Sequence, residues 1–220
     1  MRIGIVGAGN VGTGIGKRLV TAGHEVLVSF SKSRDGLKQA TAAIGGGARA
    51  GSVVDAVRHG EVVVLATPWG ATREALAQAG GALNGGKIVW DCTNPLLPDM
   101  SGLALGTTTS GGEQVAAWAG PGARLVKAIP PFAEVLHSPG TEIGGGKPGV
   151  FVCGDAADAR RVVAGLVAEI GADPTDAGPL SLARYTEPLG MLLVQLAYAR
   201  GMGARIGAKL LRDTTVPRAA

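Results

Sequence analysis

Aromatic side chains are scarce in this chain of 220 residues: three Trp, two Tyr and three Phe. Single-stranded nucleic acid is held on rows of aromatic faces, so this supply argues against such a partner. Cysteine is scarcer, with Cys92 and Cys153 alone. Two thiols make neither a disulfide framework nor a metal-ligand cluster, and they point to a reducing, cytoplasmic compartment. Long apolar runs are missing. The best stretch, residues 189–199, contains Gln195 and is too short to span a bilayer. The opening MRIGIVGAGNVG has no signal-peptide core. Charge of one sign is not concentrated either. The net charge of +4 is spread along the chain, which suits anionic small molecules better than DNA.

What is abundant is glycine, 37 residues with no three-residue period, so collagen is excluded. Hydrophobic residues are 46% and charged residues 17%, the balance of a folded chain rather than a disordered one. Short β-branched runs alternate with helical patterns. Strands are expected at 2–6, 25–29, 48–50, 61–66, 87–91 and 124–128, and helices at 11–22, 35–44, 53–59 (capped by Ser52) and 71–79. Strands that are apolar throughout belong in a parallel sheet covered on both faces. After residue 128 the rhythm changes. Strands at 149–153 and 174–176 should extend the same sheet around a helix at 156–170 capped by Asp155. A helix at 180–200 breaks near Pro188, and 201–212 continues it. The expected fold is α/β, a Rossmann-type doubly wound parallel sheet extended by late strands, with a C-terminal helical segment. Residues 1–128 form the nucleotide-binding core, and 129–220 supply the sheet extension and the helical segment.

The first strand runs into Gly7-Ala8-Gly9-Asn10-Val11-Gly12, a G-x-G-x-x-G that opens a helix. In that context the glycines serve different ends: Gly7 permits the tight turn, Gly9 the close approach of a pyrophosphate, and Gly12 the close packing of helix on strand. The helix-start N–H groups then face the anion. At the end of the second strand an NAD site would carry a carboxylate for the ribose hydroxyl. Here Ser29-Phe30-Ser31-Lys32-Ser33-Arg34 has none before Asp35. Ser31 and Lys32, helped by Arg34, would instead hold a 2′-phosphate, which favours NADP. The fourth and fifth strands end in Thr67-Pro68-Trp69 and Asp91-Cys92-Thr93-Asn94-Pro95, both aimed at the same crevice. Trp69 reads equally as a wall for the nicotinamide and as packing. His24 and His59 precede strands and read as surface residues. His137 sits in a loop without a carboxylate partner, and Lys127 reads as a strand-end lysine or a site residue. Gly144-Gly145-Gly146-Lys147 is followed by Pro148, so it is a turn rather than a P-loop.

GAGNVG, Gly23-His24-Glu25-Val26, Thr67-Pro68-Trp69, Thr93-Asn94-Pro95-Leu96 and Val152-Cys153-Gly154-Asp155 together resemble the deazaflavin-dependent NADP reductases. These are the coenzyme F420–NADP oxidoreductases and their bacterial relatives. The C-terminal Asp176-Ala177-Gly178-Pro179-Leu180, Ala183-Arg184, Glu187-Pro188-Leu189 and Gly201-Met202-Gly203 are the most specific part. The resemblance covers essentially the whole chain. It implies six parallel strands plus two, NADP(H) over the glycine loop, a coenzyme F420-like or flavin acceptor near Trp69 and the sixth-strand end, and a homodimer. Where the family carries Ser-Arg or Arg-Arg for the 2′-phosphate, Ser31-Lys32 stands here. Where it carries a polar residue after the sixth strand, Pro130 stands in Ile129-Pro130-Pro131-Phe132. The resemblance therefore reaches further for the cofactor than for the acceptor. Hydride transfer between two ring systems needs stacking and distance more than an acid or base. A chain poor in histidine suits it, with reduction of flavin or another small acceptor, or non-catalytic NADP binding, as the alternatives.

Overall fold

The computed structural model describes residues 1–30, 33–106 and 108–213. The chain begins β1 (Arg2–Val6), α1 (Asn10–Thr21), β2 (Glu25–Ser29), α2 (Arg34–Ile44), β3 (Arg49–Ala50), α3 (Val53–His59), β4 (Val62–Leu65), α4 (Trp69–Ala79) and β5 (Lys87–Asp91). It continues with α5 (Gly111–Ala119), β6 (Ala123–Lys127), α6 (Ala133–His137), β7 (Gly149–Cys153), α7 (Ala157–Glu169), β8 (Asp173–Gly178) and α8 (Ala183–Val194). One sheet holds all eight strands in the order β3-β2-β1-β4-β5-β6-β7-β8. The first six run parallel, β7 turns antiparallel against β6, and β8 follows β7 in parallel. The strand order reverses between β1 and β4. In such a sheet that is the point outside which ligands bind.

Alternation along each strand divides the core in two. Ile3, Ile5, Val62, Val64 and Trp90 face α1, α2, α6 and α7, while Val6, Val63, Leu65 and Val89 face α3, α4 and α5. Trp90 is completely buried, and its indole N–H donates to the Ala128 carbonyl at 2.8 Å, tying β5 to the end of β6. The caps follow the sequence where they are local. Ser52 and Asp55 form a reciprocal capping box at α3, and Ser33 and Ser110 cap α2 and α5.

Several expectations need correction. Asp155 does not cap α7, which starts after Ala156 with no side-chain cap; its carboxylate accepts the Leu180 N–H at 3.0 Å instead. Pro188 does not break the last helix, because α8 runs through it and changes to a π-helical turn only at Gln195–Ala199. Residues 201–212 are not helical. Gly201 and Gly203 take φ of +69° and +77°, and the chain then runs beside β7, where the Gly149 N–H donates to the Ala208 carbonyl at 2.8 Å. His24 is no surface histidine: its side chain is only 9% exposed, with Nε2 2.6 Å from Glu169. His59 is half-buried, with Nε2 3.3 Å from the Glu25 carbonyl. Gly144–Gly146 form a turn closed by the Ile143–Gly146 bridge, as expected, with Gly144 and Gly145 exposed. Among the described residues no helix is long and apolar enough to cross a membrane.

Candidate active site

The glycine turn links β1 to α1 at the switch point. Gly7 takes φ +125°, and a side chain there would meet the Ala66 carbonyl oxygen at 2.3 Å. The Gly7 and Ala8 N–H groups donate to the carbonyls of Ser29 and Phe30, each at 3.0 Å, which pins the turn to the end of β2. Gly9 is the N-cap of α1, and nothing stands within 4 Å of where its Cβ would be. Unlike α2, α3 and α5, α1 has no side-chain cap and no acidic residue in its first turn. Its first N–H groups and the positive end of its dipole are left for an anion. Asn10 is exposed and Val11 half-buried. His137, expected in a loop, ends α6 with Nε2 2.9 Å from the Asn10 carbonyl. The ring therefore donates to α1 rather than to a ligand in that position.

At the end of β2, Phe30 holds φ +59°, a left-handed conformation rare outside glycine. Ser31 and Lys32 lie outside the described residues. Arg34 is exposed at the first position of α2. The turn after β4 brings Thr67 (buried), Pro68 (exposed) and Trp69 (half-buried) beside the glycine turn. Thr67 and Thr72 share a hydroxyl hydrogen bond of 2.9 Å. Trp69 opens α4 and packs on Trp118 of α5 with ring centroids 5.2 Å apart, so its ring has a packing partner.

The end of β5 holds the most tightly fixed part of the site. Asp91 Oδ1 accepts the Thr93 N–H at 2.9 Å, and Lys127 Nζ donates to the Thr93 carbonyl at 2.7 Å. Pro95 is buried, and Asn94 is half-buried, its Nδ2 donating to the Glu187 carbonyl at 3.3 Å. The ammonium of Lys127 is completely buried. Burial alone would lower its pKa, but Asp91 and Glu187 more than reverse this and hold it above the usual lysine value. The Cys92 thiol is pushed up by burial, with Asp91 adding to the effect. The titratable groups at the ends of β5 and β6 are thus neutral and sealed or already paired. Reasoning from sequence missed Glu187 here. The signals were a lone carboxylate in an apolar helix and a lone lysine ending an apolar strand.

A doubly wound sheet with an uncapped glycine turn at its switch point defines a dinucleotide-binding protein of the Rossmann type. The family model described as "NADP oxidoreductase coenzyme F420-dependent" matches residues 2–95. A protein of Arthrobacter sp. FB24 put forward as an F420-dependent NADP reductase is 30% identical, with 96% of this chain and 99% of that one aligned at a TM-score of 0.83. A hypothetical protein of Sinorhizobium meliloti is also 30% identical over 82% of this chain and 86% of its own, with a TM-score of 0.70. The fold is shared more distantly by a pyrroline carboxylate reductase of Plasmodium falciparum with NADP bound. That protein is 12% identical over 91% of this chain and 69% of its own, with a TM-score of 0.55. The chain belongs to the coenzyme F420-dependent NADP oxidoreductase family and is an NADP-dependent oxidoreductase.

Proposed function

We propose that this enzyme transfers a hydride between NADP(H) and a deazaflavin-like acceptor of the coenzyme F420 type. The pyrophosphate lies against Gly7 and the α1 start, Gly9 to Gly12. The 2′-phosphate is taken by Ser31 and Lys32 with Arg34. The nicotinamide end lies between Thr67–Pro68–Trp69 and Asn94–Pro95. The residues present fit the cofactor. A Cβ at Gly9 would occupy open space at an uncapped helix start, and the sealed Asn94 Oδ1 lacks a donor. When bound, the cofactor supplies the hydride; the protein orients it and keeps water away.

The observation that carries this reading is the absence of a free acid or base at the described ends of β4, β5 and β6. Lys127 is committed to Asp91 and Glu187, and Thr67 to Thr72. Carbonyl reduction needs a proton donor at the reacting oxygen, whereas hydride transfer between stacked rings needs geometry. The half-buried Ile129 and Pro130 follow β6, and Phe132 meets Tyr198 edge-on with centroids 5.8 Å apart. These residues wall the acceptor side, and the Tyr198 hydroxyl among them is engaged, donating to Glu134 at 3.3 Å. Two buried free thiols fit a reducing, cytoplasmic setting. Anaerobic mixing with NADPH should bleach the visible absorbance of a deazaflavin. Bleaching of a flavin alone would transfer the reading to a flavin reductase. No NADPH oxidation with either would leave a binding protein.

A further inference from the structure

Three ionised side chains meet out of water where β5, β6 and α8 converge. Lys127 Nζ lies 2.9 Å from Asp91 Oδ2 and 3.0 Å from Glu187 Oε1, and the three side chains are at most 2% exposed. The third ammonium proton goes to the Thr93 carbonyl. Glu187 also accepts the N–H groups of Gly111 and Gly112 at 2.8 and 2.9 Å, so the surplus negative charge rests on the N-terminus of α5. A buried cluster of this kind often stabilises a fold no better than apolar packing of the same volume. What it does supply is a single register for the segments it joins.

Those segments frame the nicotinamide end of the crevice. Thr93 is gripped by its N–H through Asp91 and by its carbonyl through Lys127. The next residue, Asn94, is gripped by the Glu187 carbonyl, and Gly190 one turn later lets α8 close on it. A methyl at Gly190 would stand 2.8 Å from Asn94 Nδ2. With Nδ2 fixed in this way, Asn94 Oδ1 is left sealed and without a donor.

We propose that Glu187 is a positioning residue for hydride transfer: through Lys127 and through its own carbonyl it makes α8 set the place of the Thr93–Asn94 turn against the nicotinamide. This rests on the hydride-transfer reading above. The test uses the full chain and the Glu187→Gln and Asn94→Ala variants. It measures melting temperature, NADPH affinity by quenching of tryptophan fluorescence, and turnover with the isotope effect of NADPH deuterated at the transferred position. Glu187→Gln keeps the size but removes the charge and sets an amide N–H against a backbone N–H. Turnover should fall about tenfold or more, because misplacement by a fraction of an ångström is felt directly in the transfer step. NADPH affinity should change by less than about threefold, and the isotope effect should rise as that step becomes limiting. Asn94→Ala leaves the buried charges in place and should give the same kinetic pattern at an unchanged melting temperature. Wild-type turnover in this variant would therefore overturn the proposal even if Glu187→Gln does not fold. Wild-type turnover and isotope effect in folded variants would make the cluster a staple only and overturn the proposal. A wild-type protein that fails to bind or oxidise NADPH would overturn the functional reading itself, a result separate from inert variants of an active enzyme.

Discussion

The carbonyl oxygen of Gly7 stands 1.9 Å from where a Cβ on Gly12 would be, while the space around Gly9 is open. The glycines of one motif therefore answer to different constraints. Gly12→Ala forces helix and turn apart and should cost about 1–3 kcal/mol of stability, read by chemical denaturation. Gly9→Ala should melt like the parent yet bind NADPH about tenfold or more weakly, a loss of roughly 1.4 kcal/mol, read by titration. A Gly9 variant with parental affinity would move the pyrophosphate elsewhere.

Cofactor choice is expected to reside in the residues after β2. A charge-assisted phosphate contact is worth about 1.5–3 kcal/mol, so Lys32→Ala should erode the preference for NADPH over NADH by roughly tenfold or more. NADH affinity should stay where it was. Equal affinities in the unmutated protein would remove the basis of this expectation.

Acid should loosen the C-terminal half of the fold. Glu113 binds Arg184 in bidentate fashion at 2.6 and 2.9 Å, and Arg184 holds the Glu113 carboxyl below its usual range. Burial works to raise Asp176, but Arg160 and the Gly178 N–H outweigh it and keep that carboxyl low as well. A carboxyl with a lower pKa in the folded chain takes up a proton more readily when unfolded. Its contribution is complete above the ordinary carboxylate values of about 4 and fades as the pH falls through the lower folded values. Glu113→Gln should flatten that part of the stability profile, read as midpoint against pH. A variant as acid-sensitive as the parent would assign the loss to other groups.

The face of α8 turned away from the sheet exposes Tyr185 (68%) and Leu192 (54%), which lie on one stripe two turns apart. Tyr198 and Met202 continue the exposed apolar surface. We expect two copies of the chain to meet here, which would also cover the acceptor side near Phe132. Light scattering at micromolar concentration should give twice the chain mass, and Leu192→Glu should halve it. A monomeric parent would defeat the expectation.

Local signals were legible in the chain and distant ones were not. The glycine turn, the Ser52 cap and β7 depend on neighbours a few residues away, and each stands where the sequence puts it. The helix α5 escaped notice because it opens with Gly111-Gly112, poor helix formers. Its start is secured by Ser110 locally and by Glu187 from far along the chain. Asp155 looked like a helix cap but is spent on Leu180, a partner that only the fold brings near. The apolar pattern at 201–212 imitated a helix, yet the left-handed Gly201 and Gly203 turn the chain aside. Lys127 showed its position in the strand but not its two carboxylates. A charge in an apolar strand announces a partner without naming it.

The two borders of the sheet are poor templates for another backbone. At one, β3 is two residues long and both are exposed. At the other, β8 opens with Asp173 and Pro174, and Lys209 sits 2.8 Å from Asp173. Proline offers no N–H, and paired charges at a sheet margin discourage docking of a further strand. Both margins therefore disfavour strand-by-strand growth into fibrils. An eight-stranded sheet rich in valine and isoleucine thus offers little edge to a second copy, so any pairing of copies would fall to its helices.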